Sequence, residues 1–401
     1  MPVDNLDLKA EAILDPVIQF HNPLSKNTVN PKSILLTGAT GFLGVYLLDE
    51  LLKKTTADIY CLVRCRNFNE GKQRLKANLQ FHALWKEAFN SRIVPIVGDL
   101  SKPHFGLSEP QFNKLASQID VIYHSGAQVN AARPYSTLKA TNVLGTQEVL
   151  RLASLIQSKP VHFMSTIAVF FSSPYFQSNC LKETDWPQCD HLKGGYRQSK
   201  WVAEQLVKKA QERGLPTGIY RVGRVLGHSK TGITGNLDNV LCHFMKGCIQ
   251  LEKFPAVKTT INLMPVDYVS QAIVHLSRQE KLLGKVFHLL NPHSITWQNL
   301  LEEIRVLGYS LDEMTYHEWV SELKNRNLQK PKDKFYAILL LLLRTSAIFS
   351  NKKPQFDAHH TLEWLADSSI ICPVVDTKLL SNYFSYFQKS GYIPVSQNQG
   401  F

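Results

Sequence analysis

The segment SILLTGATGFLGVYLLDELLKK, residues 33–54, constrains the fold more than any other stretch of this chain. An apolar run at 33–37 meets a turn with glycines at 38, 41 and 44, and an amphipathic helical pattern follows. Each glycine answers a different need. Gly38 permits a tight turn, Gly41 lets the backbone approach a pyrophosphate, and Gly44 lets the helix pack closely on the strand. The helix N-terminus then offers unpaired N–H groups to an anion. The spacing is GxxGxxG rather than GxGxxG, and the strand before and helix after give it weight. The loop is therefore the candidate dinucleotide cradle, with Thr37, Thr40, Phe42 and Leu43 beside Gly38, Gly41 and Gly44.

Further short apolar runs follow at 59–63, 93–97, 120–124, 161–165 and 218–222, separated by helix-like stretches such as 136–156 and 197–213. Apolar runs without polar alternation suit strands buried on both faces. Their alternation with helices predicts an α/β fold, a Rossmann-type doubly wound parallel sheet. Beyond about 230 the alternation becomes irregular. Helical patterns near 236–251, 267–278, 296–307, 359–366 and 376–389 dominate, and one strand-like run, 285–290, is placed to return to the sheet. The expected organisation is a linker segment at 1–32, a dinucleotide-binding domain at 33–230, and a smaller, mostly helical domain at 231–401 that covers the cofactor.

Composition excludes several classes. With 44% hydrophobic and 19% charged residues the chain is globular rather than disordered. Its start is acidic and carries no secretory signal. The longest apolar run, FYAILLLLL at 335–343, is too short for a bilayer, which needs about 20 residues, and reads as a buried or interface helix. The seven cysteines are odd in number and form no CxxC pair, so they read as reduced thiols in a cytoplasmic protein, with no metal site. The net charge is +12, with a basic cluster at 324–334. No aromatic–basic interleaving of the RNA-binding kind accompanies it, so an acidic protein partner fits better than nucleic acid.

The second strand-like run ends CLVRCRN. An NAD-selective site favours an acid near this point, for the ribose hydroxyls, and none stands between Ile59 and Asn69. Arg64 stands there instead, with Arg66 and Arg74 following; a guanidinium at Arg64 or Arg74 suits the 2′-phosphate of NADP. After the third run Asp99 and Leu100 lie where the adenine would rest, and after the fourth Ser125, Gly126 and Ala127 are small enough for backbone to lie against a cofactor.

The chemistry is carried by GGYRQSKWVAEQL, 194–206. Tyr196 and Lys200 are one helical turn apart. A phenol with a pKa of ~10 is a poor acid near neutrality, and a nearby ammonium would lower it. Ser165 and Thr166 end the fifth run, at the edge where ligands bind in open parallel sheets. Thr166, Tyr196 and Lys200 are thus the candidate catalytic set, with Tyr196 and Lys200 also placed to meet the nicotinamide ribose.

The motifs TGATGFLG, STIAVF and YRQSK resemble the extended short-chain dehydrogenase/reductase superfamily. AEAILDP, HSGAQVN, TNVLGT, GYRQSKWVAEQL and PVDYV narrow the resemblance to the thioester reductase domains of nonribosomal peptide synthetases and carboxylic acid reductases, from about residue 6 to 393. The resemblance implies NADPH-dependent reduction of a phosphopantetheine-bound acyl or peptidyl thioester to an aldehyde, and on to an alcohol by a second hydride. It implies an NADP-binding domain at 33–230, a substrate and carrier-docking domain at 231–401, an acidic carrier domain as partner in the same parent polypeptide, and a monomeric excised domain. It gives Thr166 and Tyr196 the thioester carbonyl and Lys200 the support of Tyr196. Asn142 of TNVLGT matches a position near the catalytic lysine, where a structural role is as fitting. Val222 stands where many extended members carry Arg-Pro against the nicotinamide, and Asp267 of PVDYV reads as a helix N-cap. The competing readings are a free-standing fatty acyl or carbonyl reductase, a nucleotide-sugar epimerase, a non-redox reductase-like release domain, and a basic scaffold.

Overall fold

The computed structural model describes residues 6–395 except 26, 173–174, 176–179, 236, 238, 331–333 and 346–353. The chain forms two compact units that interleave in sequence. The first comprises Met1–Gly223, Val269–Leu289 and Pro354–Ile370, and the second Arg224–Tyr268, Leu290–Lys353 and Ile371–Phe401. A single boundary near 230 therefore does not describe the division, because the chain passes back into the first unit twice.

The first unit is built on seven parallel strands. β1 (Ser33–Thr37), β2 (Asp58–Val63), β3 (Ile93–Val97), β4 (Val121–His124), β5 (Val161–Thr166) and β6 (Thr217–Val222) are joined by the edge strand Val286–Leu289. The spatial order is edge strand–β6–β5–β4–β1–β2–β3. All six pairings are parallel. The expected doubly wound sheet is present, and the 285–290 run does return to it. Ile34, Leu35, Leu36, Ile122, Val161 and Ile219 are fully buried, as strands covered on both faces require. The order reverses between β1 and β4, where Thr37 lies opposite His124. Ligands of open α/β sheets bind at such a switch point.

The segment expected as a linker packs into this unit. Leu8, Ala12, Leu14, Ile18 and Phe20 join its apolar core. A short helix, α1 (Leu8–Glu11), is capped by Asp7. Arg213, at the end of the long helix α7 (Gly195–Glu212), donates to the carbonyls of Leu14, Asp15 and Ile18 at 3.0, 2.8 and 2.7 Å. Glu11 accepts from Tyr135 at 2.8 Å and pairs with Lys139 at 2.7 Å. The apolar stripe Leu8–Ala12–Leu14–Ile18 needs this cover, and its carbonyls find the guanidinium.

The second unit is mainly helical. Helices Val240–Leu251, Trp297–Val306, Tyr316–Gln329, Lys334–Thr345 and Thr377–Lys389 enclose a core in which Phe244 meets Trp297 edge-on at 4.9 Å and Trp319 at 5.3 Å. The apolar run 335–343 forms one of these helices, with Tyr336, Leu339 and Leu343 buried in that core and Ile338 and Leu341 exposed. No helix among the described residues is long and apolar enough to cross a membrane. The 324–334 cluster is described only in part, since 331–333 lie outside the described residues. Asp267, expected as an N-cap, lies one residue inside the start of the helix Val266–Ser277, and its carboxylate accepts from the backbone N and Oγ of Ser229 at 2.8 and 2.6 Å, anchoring that loop.

Arg213→Ala removes three charge-assisted bonds to main-chain carbonyls. It should cost about 2–4 kcal/mol of unfolding free energy and speed amide exchange across residues 8–20, read by urea titration and hydrogen exchange.

Candidate active site

The glycine loop is as crowded as its sequence requires. Gly38 has φ +80°, and a Cβ there would lie 2.7 Å from the nitrogen of Gly126. A Cβ on Gly44 would lie 1.9 Å from the carbonyl oxygen of Gly38. The helix α2 (Phe42–Lys54) thus begins flush against β1, with Gly41 as its N-cap and no side chain capping the turn. Its first N–H groups are left for an anion.

A directed chain of hydrogen bonds leads away from this loop. Gly126 N–H donates to Thr37 Oγ1 at 3.0 Å, and Thr37 donates to His124 Nδ1 at 2.7 Å. His124 Nε2 donates to Thr146 Oγ1 at 2.9 Å, and Thr146 donates to the Asn142 carbonyl at 2.7 Å. The directions follow from Thr146, whose single proton goes to a carbonyl, so the ring must carry its proton on Nε2. Burial, with the Lys200 charge second, pushes His124 down to about 3, so it stays neutral. Asn142 sits in a wide helical turn, Ala140–Leu144, where Gly145 N–H reaches the Ala140 carbonyl. Its amide accepts from Gln128 N–H at 2.7 Å and donates to Ser199 Oγ at 2.9 Å. Ser199 donates to the Tyr196 carbonyl at 2.9 Å. The polar chain therefore runs from the cradle to the helix carrying Tyr196.

Arg64 is exposed, just beyond β2. Arg74, on the helix Phe68–Phe81, donates to the Arg64 carbonyl. Arg66 is committed to Glu70 at 2.8 Å. Burial raises the Asp99 carboxyl, but the bonds from Ser101 and the charges of Arg64 and Lys102 outweigh it and hold the group below its ordinary value. Asp99 Oδ1 accepts from the N–H and Oγ of Ser101 at 2.9 and 2.8 Å. Leu100 is buried against Gly126 and Gly145, where added Cβ atoms would collide with it at 2.9 and 2.6 Å. These positions, Ser125 and Ala127 included, gather around the carboxyl ends of β1–β4. They fit a dinucleotide: a cradle without side chains, small residues at the switch point, and an unpaired N-terminal turn.

Thr166 ends β5, directly opposite Val222 of β6. Thr166 Oγ1 accepts from Ala168 N–H at 3.2 Å, so its own proton is available to a ligand. Tyr196 opens α7, placed there by Gly194 at φ +94° and by Gly195, whose added Cβ would lie 2.4 Å from the Arg133 carbonyl. Lys200 is buried. Its Nζ donates to the Met164 carbonyl at 2.7 Å and lies 4.1 Å above the Phe163 ring. The expected lowering of the phenol by this ammonium does not describe the arrangement. Burial pushes Tyr196 up to about 12. The ammonium is engaged with a carbonyl, and desolvation of the phenolate dominates. Sequence reasoning missed His124 and Thr146. A histidine closing an otherwise apolar strand, VIYH, was the available signal.

Burial also holds Lys200 down to about 7 from an ordinary 10.5, with the Glu204 charge opposing it. Between those values the unfolded chain carries a proton that the folded chain lacks, so stability rises with pH across that window. Relative to Lys200→Met, the wild type should gain up to ~1.4 kcal/mol per pH unit above pH 7, measured by urea unfolding between pH 6 and 9. Gly44→Ala, which drives a methyl into the Gly38 carbonyl, should weaken binding of a reduced nicotinamide dinucleotide, followed by its fluorescence, by at least ~100-fold.

Over residues 36–273 the chain matches the NAD-binding family described as Male sterility protein. It is 41% identical over 397 residues to a linear gramicidin synthase polypeptide of Brevibacillus parabrevis, covering 99% of this chain and 8% of that one. It shares 38% identity over 326 residues with glycine betaine reductase ATRR of Emericella nidulans, covering 78% of this chain and 25% of that one. The chain thus spans a minor part of these curated relatives. It superposes on the crystal structure of the terminal R domain from the myxalamid PKS-NRPS biosynthetic pathway with a TM-score of 0.92 and 41% identity, covering 97% of this chain and 99% of that one. With the cradle, the switch point and Thr166 on one parallel sheet, and Tyr196 and Lys200 on the helix α7, this chain belongs to the Male sterility protein family of NAD-binding domains, as a reductase domain of the nonribosomal peptide synthetase type.

Proposed function

We propose that this domain reduces an acyl or peptidyl thioester, presented on the phosphopantetheine of a carrier domain, with NADPH as reductant, and releases an aldehyde. The observation that carries the reading is Tyr196 and Lys200 at the start of α7 with Thr166 ending β5, in a chain that matches a terminal R domain along nearly its whole length. A bound reduced nicotinamide supplies hydride for the thioester carbonyl carbon.

The side chains do the rest. Thr166 and Tyr196 donate hydrogen bonds to the carbonyl oxygen, where negative charge develops. Tyr196 is protonated at neutral pH, its pKa raised to about 12 by burial, and the alkoxide that forms on hydride addition is basic enough to take that proton. Lys200, held by the Met164 carbonyl, returns positive charge to the phenol as it ionises. The resulting hemithioacetal loses its carbon–sulfur bond, the thiol leaves with a proton, and the carbonyl re-forms as an aldehyde. A second round on the aldehyde gives an alcohol.

The preference for NADPH rests on Arg64 at the β2 end and on the missing acid there, with Arg74 bracing the Arg64 backbone. The net charge of +12 favours an acidic carrier.

The purified domain, NADPH and an acyl-pantetheine thioester should give NADPH oxidation with aldehyde or alcohol identified by mass spectrometry. Tyr196→Phe should lower kcat by about 10²–10⁴-fold. Turnover of free aldehyde but not of thioester would sink the reading and indicate an ordinary carbonyl reductase. Arg64→Ala should raise KM for NADPH about tenfold while leaving that for NADH unchanged.

A further inference from the structure

Behind the candidate catalytic set, four charged or polar side chains, Arg221, Glu204, Ser165 and His288, are sealed inside the first unit. Arg221 on β6 and Glu204 on α7 are both fully buried, and form an ion pair in which Arg221 Nε and Nη2 donate to Glu204 Oε1 at 3.0 and 2.9 Å. Ser165 donates to the other carboxylate oxygen, Oε2. On its far side Arg221 Nη1 donates to the Glu183 carbonyl and to His288 Nε2, both at 3.2 Å. His288 Nδ1 donates to the Asp357 carbonyl at 2.7 Å, so the ring is neutral and offers Nε2 as acceptor. The guanidinium lies 4.8 Å from the Phe170 ring and 5.5 Å from that of Trp186. Each of the three guanidinium nitrogens of Arg221 and both oxygens of Glu204 thus have a partner.

The placement of this network is specific. Glu204 is one helical turn beyond Lys200 on the same helix. Ser165 immediately precedes Thr166 and follows Met164, whose carbonyl holds Lys200. Ser165 and Arg221 lie opposite each other in the β5–β6 register. One carboxylate thus ties the helix bearing Tyr196 and Lys200 to the strand end bearing Thr166. A buried ion pair is weak as a stabiliser, since desolvation offsets its attraction, so stability alone does not account for it.

We propose that Glu204, backed by Arg221, is a positioning residue for the Thr166–Tyr196–Lys200 set: it holds the strand end through Ser165 and supplies the negative charge that favours the protonated form of Lys200. The ionisable groups around Lys200 are Glu204 and Tyr196 on its own helix, His124 at the end of β4, which is neutral, and Arg221 behind Glu204. Only Glu204 among them favours the charged lysine. The kinetic part of this proposal rests on the thioester reductase reading; the protonation part does not.

The test uses the whole chain with lysine side chains isotope-labelled, and the Lys200 signal identified by its loss in Lys200→Arg. In the cofactor-free wild type, NMR titration should show Lys200 ionising near pH 7. Glu204→Gln should move that midpoint down by about one unit or more, and Glu204→Asp should largely restore it. An unmoved midpoint in Glu204→Gln overturns the proposal. With acyl-pantetheine and NADPH, Glu204→Gln should lose about 10–100-fold in kcat with little change in KM. Absence of turnover in the wild type defeats the reductase reading and leaves the titration to decide this one. Glu204→Gln strands a buried guanidinium and is the variant at risk of not folding. Ser165→Ala keeps both charges and removes one hydroxyl. It should leave the Lys200 midpoint in place and speed amide exchange at Thr166 and Ile167 about tenfold. Unchanged exchange there overturns the positioning role.

Discussion

The Lys200 ammonium is buried, and much of the site follows from that constraint. An isolated cation out of water costs several kcal/mol even after relaxation. Here it is met by one backbone carbonyl at 2.7 Å, one aromatic face at 4.1 Å, and the negative charge of Glu204. That carboxylate is itself buried and needs Arg221, which in turn needs two aromatic faces, a neutral histidine and a carbonyl. The polar interior behind β5 and β6 is therefore one connected requirement rather than a set of separate contacts. It makes the lysine a group whose protonation is poised near neutrality.

A second polar network approaches the same helix from the cofactor side. Thr37, at the entrance to the glycine loop, is joined through His124 and Thr146 to Asn142, and from there to the start of α7. Each step matches one donor to one acceptor. The wide turn at Ala140–Leu144 is the point where the helix opens enough to place Asn142 between the β4 loop and Ser199. Such turns occur often at functional sites because they re-aim a side chain without ending the helix. The candidate dinucleotide cradle and the start of the helix bearing Tyr196 are thus joined by buried hydrogen bonds.

The parallel sheet was legible in the sequence because local pattern carries it. The runs at 33–37, 93–97 and 218–222 coincide with strands within a residue, and 285–290 does join the sheet. The division into units was less legible. Residues 269–289 and 354–370 return to the first unit through contacts between segments far apart in the chain. Asp267 shows the same limit on a small scale: a carboxylate at a helix start reads as a cap, and its bonds to Ser229 appear only in the folded chain.

By itself the sequence determined the chemistry available: a cradle of glycines, an arginine in place of an acid, a tyrosine and a lysine one turn apart. These depend on residue type and short spacing. The tertiary structure alone decided the state of those groups. Burial raises Tyr196, and the Lys200 ammonium beside it on the helix is engaged with the Met164 carbonyl. Glu204 and Arg221 look like an ordinary helix acid and an interrupted strand until β6 lies beside β5 and closes them off from water. Protonation follows from desolvation and from partners distant in sequence, and both exist only once the chain has folded.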